Sequence, residues 1–103
     1  FKINYKSGEI FENLRLLDKK FEITRCFPSG KQQTWDLEPY WVKAEISGER
    51  NNKNLIIKSK EKIVLVGSFL NINDKKKLLK KIEEAIEKYK LKNNLVKNTA
   101  KRN

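Results

Sequence analysis

Histidine and methionine are absent from these 103 residues, and cysteine occurs once. Each absence excludes some chemistry. Without histidine there is no imidazole base, no Ser-His or Cys-His nucleophile pair, and none of the commonest zinc ligand. The lone Cys26 forms no internal disulfide, which points to a reducing compartment. No histidine or helix start stands beside it in sequence, so it is expected as a small buried hydrophobe rather than a reactive thiol. The four glycines, at positions 8, 30, 48 and 67, are too scattered for a phosphate-binding loop. Gly8, Gly30 and Gly48 mark turns, and Gly67 marks a bulge or a close approach of helix to sheet. No apolar run approaches the roughly 20 residues of a membrane-spanning helix, and no signal-peptide pattern is visible. Because the chain starts at Phe1 and holds no methionine, the expectation is an internal piece of a longer protein with further segments upstream.

What is present is mostly charge. Lys and Arg number 24 against 13 Asp and Glu, a net +11. Residues 1–70 hold 13 basic against 9 acidic side chains, a net +4, whereas residues 71–103 hold 11 against 4, a net +7. The basic residues are 20 Lys to 4 Arg, and Asn occurs 11 times, a bias expected of an AT-rich genome. Lysine offers no planar bidentate fork, so specific base readout has little support. With 38% hydrophobic residues and ten aromatics, the chain still has enough apolar surface for one folded domain.

From Ile10 to Phe69 the dominant period is two. Ile10, Leu14 and Leu16 share parity, as do Phe21, Ile23 and Phe27, Trp35 and Leu37, Val42, Ala44 and Ile46, Leu55 and Ile57, and Ile63 and Leu65. Each set would line one strand face, with hairpin turns between them. After Leu70 the period becomes 3.6. Leu78, Ile82, Ala85, Ile86 and Tyr89 fall on one stripe with Leu79 at its margin, and Asn71 with Asp74 supplies an N-cap. The expected fold is therefore α+β: a meander of about six antiparallel strands, as a curved sheet or small barrel of pleckstrin-homology-like plan, closed by one C-terminal amphipathic helix. Its expected divisions are a juxtamembrane-like lead-in at 1–9, one globular domain at 10–91 (strands to 70, helix 72–91) and a basic flexible tail at 92–103.

The candidate sites are few. Trp35, Pro39, Tyr40 and Trp41, in "WDLEPYWV", form either a corner of the core or an interaction surface. Pro39 must interrupt a strand ladder there, since it has no amide to donate. Asp36 and Glu38 flank the corner as solvated acids. Lys75, Lys76 and Lys77 place cations in the first helical turn, against the helix dipole; either the Lys-rich composition of the chain extends into the helix start, or an anionic surface compensates them. No residue is assigned to catalysis, and no cofactor or metal site is expected.

"FKINYK", "WDLEPYWVKAEI" and "VLVGSFLNINDKKKLLKKIEEAI" resemble the bacterial membrane-protein family catalogued as domain of unknown function 2244. The matching points are Asn4-Tyr5-Lys6, Trp35, Leu37, Pro39-Tyr40-Trp41-Val42 and Gly67-Ser68-Phe69-Leu70. The helix start departs from the family pattern: Asn71-Ile72-Asn73-Asp74 keeps a cap and one acid but lacks the usual proline. The family's two preceding membrane helices are not in this sequence. The resemblance implies a non-enzymatic domain of a bacterial inner-membrane protein, facing the cytoplasm as the basic excess and the positive-inside rule suggest. Its expected partners are the membrane, through upstream segments, another membrane protein, and anionic lipid through weak contacts. The alternative is a soluble basic nucleic-acid-binding domain using lysines on phosphates and surface aromatics for stacking.

Overall fold

The computed structural model describes the backbone of residues 2–102 and the side chains of residues 2–6 and 8–92. In chain order the elements are β1 Lys2–Ser7, β2 Ile10–Leu16, β3 Phe21–Cys26, β4 Gln32–Leu37, a 3-10 turn Pro39–Trp41, β5 Val42–Glu49, β6 Asn52–Ser59, β7 Lys62–Val66 and α1 Ile72–Arg102. Strands pair antiparallel with their sequence neighbours to form two sheets, β1-β2-β3-β4 and β5-β6-β7. The α+β class stands.

Several finer expectations are corrected. Among the described residues there are seven strands rather than six, because the 1–9 lead-in contains β1. Ile3 and Tyr5 alternate on it and register opposite Leu14 and Glu12, enough to add an edge strand. The meander is not continuous, and the described strands close no barrel. Pro39 ends the ladder: the Trp41 amide donates back to the Glu38 carbonyl at 3.1 Å, closing the 3-10 turn, and the chain restarts in a second sheet. The helix continues from the expected end at 91 to Arg102. No glycine or proline follows Gly67 to stop it. The flexibility expected of residues 92–103 falls, from residue 93 on, outside the described side chains.

The core draws Leu14, Phe21, Ile23 and Leu37 from the first sheet, Val42, Leu55, Ile57, Val64 and Val66 from the second, and Leu78, Ile82 and Ile86 from α1. The helical stripe is the one the 3.6 period marks, and the cap is made: Asn71 Oδ1 accepts from the Asp74 amide at 2.8 Å. The phase of β7 differs from expectation. Val64 and Val66 face inward, leaving Ile63 59% and Leu65 44% exposed. Four consecutive apolar residues give no parity signal, so the register comes from packing alone.

Ile82 is fully buried at the centre of the stripe. Ile82→Asp should cost about 3 kcal/mol or more by placing an unpaired charge there, while Lys80→Asp on the exposed side should stay within about 0.5 kcal/mol. Urea midpoints of the two variants check this, and equal midpoints would mean that the stripe does not pack.

Candidate functional site

The "WDLEPYWV" stretch divides by burial. Leu37, Pro39 and Val42 are buried, and Trp35 is half-buried against the core. Trp41 is 55% exposed and Tyr40 37%. The strand parity that would have turned Tyr40 inward does not apply, because residues 39–41 form a 3-10 turn. The Tyr40 and Trp41 rings meet edge to face, with centroids 5.8 Å apart, and Lys90 Nζ of α1 lies 5.9 Å from the centre of the Tyr40 ring. The Ser59 hydroxyl donates to the Glu38 carbonyl at 3.1 Å, and Lys62 Nζ donates to the Asp36 carbonyl at 2.9 Å. The corner is thus braced by the β6–β7 turn from below and by α1 from the side. Of its acids, Glu38 pairs with Lys60 at 2.9 Å and Asp36 lies 3.9 Å from Lys20. Both acids are more than half exposed, so these pairs contribute little.

The lysine triplet is split. Lys75 lies on the helical stripe one turn before Leu78, is only 9% exposed, and donates from Nζ to the Lys53 carbonyl of β6 at 2.9 Å. Lys76 and Lys77 remain exposed. Structure and periodicity together explain Lys75: the stripe extends one turn nearer the cap than its apolar residues do, and a long stem can be buried there while its ammonium reaches a carbonyl. Cys26, expected buried, is half-buried at the end of β3.

A second cluster was not anticipated. Glu12 is 1% exposed. One carboxylate oxygen accepts from Arg25 Nε at 2.6 Å and the other from the Gly67 amide at 2.7 Å. Arg25 also donates to the Leu65 carbonyl and stacks its guanidinium 5.1 Å from the Trp35 ring centre. The signal for it lay in the alternation itself. Glu12 occupies an inward position between Ile10 and Leu14, Arg25 occupies one between Ile23 and Phe27, and the two are cross-strand partners in the β2–β3 hairpin. An acid and a scarce arginine interrupting two facing apolar series mark a buried pair.

Comparison with known proteins adds a decisive finding. The family described as integral membrane protein (DUF2244) matches residues 1–86. The chain belongs to this family. No curated protein and no solved structure matches. Among the described residues of this DUF2244 chain, no helix is long and apolar enough to cross a membrane. Two of the three stretches that carry the resemblance, around Pro39 and Gly67, sit at opposite ends of the β structure, and each has a physical reason for its residues. Pro39 turns one sheet into the next. Gly67 has φ +61°, its amide serves Glu12, and a Cβ there would stand 2.8 Å from Leu70 Cδ1, so only glycine fits without displacing the approach to the helix.

The DUF2244 cluster has one loose end. The Tyr5 hydroxyl, opposite Glu12 on β1 and beside Phe69, is enclosed with no hydrogen-bond partner of full geometry, although the Glu12 carboxylate is near enough to bear on it. Burial, and then the Glu12 charge, push its pKa well above the usual tyrosine value.

Two outcomes are expected. Glu12→Ala should cost about 3–5 kcal/mol, since it strands Arg25 and the Gly67 amide, and Glu12→Leu combined with Arg25→Met should lose less than Glu12→Leu alone. A denaturation double-mutant cycle measures this, and additive losses would show that the pair is not coupled. The second concerns alkaline pH. The folded chain holds the Tyr5 proton after the unfolded chain releases it near pH 10, so the unfolded state binds fewer protons. Stability therefore falls as pH rises above about 10, by up to about 1.4 kcal/mol per pH unit from this group. Tyr5→Phe should be near neutral at pH 7 and decline less steeply than wild type between about pH 10 and 12. Parallel slopes in chemical denaturation would overturn that assignment.

Proposed function

We propose that this chain is a non-enzymatic, cytoplasm-facing domain of a bacterial inner-membrane protein, held at the bilayer by a segment preceding Phe1 and serving an interaction or structural role, with another membrane protein among its partners. The observation that carries this reading is the membership of an integral-membrane family by a chain whose most accessible aromatic pair, Tyr40 and Trp41, stands on a rigidly braced corner. Glu12, the most deeply buried charge among the described residues, and its partner Arg25 support the non-enzymatic reading: the carboxylate and guanidinium are engaged in joining the two sheets, as struts rather than as reacting groups. The four-plus-three arrangement of strands with a C-terminal helix supports a pleckstrin-homology-like plan, a scaffold for docking. The basic excess fits cytoplasmic placement.

Exposed Tyr40 and Trp41 beside Lys90 also favour, in a narrower way, the nucleic-acid alternative. Against it, both rings sit at one corner in an edge-to-face pair, leaving no broad sheet face for successive bases.

Two measurements test the proposal. The protein as encoded in its cell should sediment with membranes and leave them only with detergent. With Lys76→Cys in a Cys26→Ser background, an impermeant maleimide should label inside-out vesicles and not intact cells. Recovery in the soluble fraction, or labelling of intact cells, would sink the proposal. Salt-resistant binding of a single-stranded oligonucleotide would promote the alternative.

A further inference from the structure

The strand registers assign every turn to one of two ends. Lys2 pairs with Arg15, Leu16 with Phe21, and Phe21 with Leu37, so the start of β1, the β2–β3 turn and the end of β4 lie together. Val42 pairs with Ser59 and Ser59 with Lys62, which brings the β6–β7 turn to the same end as the 3-10 turn. The helix arrives there too: the Tyr89 hydroxyl donates to the Asp18 carbonyl at 2.6 Å, and Lys90 reaches Tyr40. Strand spacing puts the start of β1 only about 14 Å from the end of β4, three ladders away.

The two ends differ in chemistry. The opposite end carries the turns at residues 8–9, 28–31 and 50–52, together with Asn71, Lys76 and Lys77, and its exposed large apolar side chains, Phe11 and Ile72, have no polar edge. The corner end carries exposed Trp41 and Tyr40, exposed Leu91, and the exposed lysines Lys19, Lys88 and Lys92, none of which has an ion pair with a described residue. Of its acids, Asp36 and Glu38 have Lys20 and Lys60 beside them, and Asp18 and Glu61 stand exposed in the β2–β3 and β6–β7 turns, fewer than the lysines around them. Aromatic rings with a polar edge, surrounded by lysines in excess of acids, match the boundary between headgroups and acyl chains of an anionic bilayer.

Building on the membrane reading above, we propose that this corner end is the bilayer-facing surface of the domain, with Trp41 at the headgroup level and the surrounding lysines on lipid phosphates. The occupant is the lipid surface itself. Lys76 and Lys77 then point away from it, and the start of β1 faces it.

The test uses the 103-residue chain held by an N-terminal hexahistidine on nickel-chelating vesicles that contain brominated phosphatidylcholine and about 30 mol % phosphatidylglycerol. The two tryptophans report separately: Trp35→Phe leaves Trp41 as the emitter, and Trp41→Phe leaves Trp35. Bromine should quench Trp41 about twofold or more over Trp35, with a blue shift of Trp41 that shrinks in vesicles lacking phosphatidylglycerol. Lys76→Gln with Lys77→Gln should change neither signal. If Trp35→Phe fails to fold, the loss of quenching on going from wild type to Trp41→Phe reads the same quantity. An unquenched Trp41 on a vesicle-bound chain overturns the inference and leaves the corner for a protein partner. That outcome is distinct from failure of the membrane reading, which fractionation of the protein from cells decides.

Discussion

One carboxylate joins the two halves of this molecule. Glu12 takes a guanidinium from its own hairpin on one oxygen and the Gly67 amide on the other, while the same guanidinium reaches the Leu65 carbonyl. The bonds to Gly67 and Leu65 run from the first sheet to β7 and its exit. A buried charge survives only where its hydrogen bonds are satisfied, so the Glu12 site dictates how the sheets meet and where α1 can begin. A hydrophobic joint of similar area would tolerate sliding. This one does not, because displacement strands a charge.

That joint explains why Pro39 is tolerated at the centre of the chain. A continuous ladder from β4 into β5 would align the sheets by backbone bonds; the proline removes that option and leaves alignment to side chains. The corner so created is stiff, braced by Ser59 and Lys62, and it carries Tyr40 and Trp41 outward on a turn rather than on a mobile loop. A surface aromatic on a rigid support needs little ordering when it engages a partner.

Much of the fold is written in the sequence at the level of period. The helical stripe from Leu78 to Tyr89 and the Asn71 cap were legible because 3.6-residue spacing and cap chemistry are local. β1 was harder to see, since two apolar residues make a weak alternation, and the inward face of β7 was hidden because both of its faces are apolar. The division into two sheets depended on weighing Pro39 as a boundary rather than an interruption. The candidate site was legible in part. Trp35, Pro39, Tyr40 and Trp41 do form one corner, but parity could not place Tyr40 and Trp41 once the backbone left the strand. Lys75 separated from Lys76 and Lys77 because helix phase, not adjacency, decides which way a side chain faces. Glu12 and Arg25 interrupt two apolar series, and only their position opposite one another across the hairpin marks them as a pair.

Within each of its two sheets every described strand pairs with its neighbour in sequence, while three of the contacts that lock the sheets and helix together span 40, 55 and 71 residues. Hairpins of this kind close in microseconds with little loop entropy to overcome, whereas the three long-range locks become rewarding only once the hairpins exist. If the Glu12 joint is sealed only after the barrier to folding is crossed, it belongs to the late, low-φ part of the structure. In that order, weakening the joint would shorten the lifetime of the folded state and leave the speed of its formation nearly unchanged, so the unfolding arm of a chevron would carry its effect.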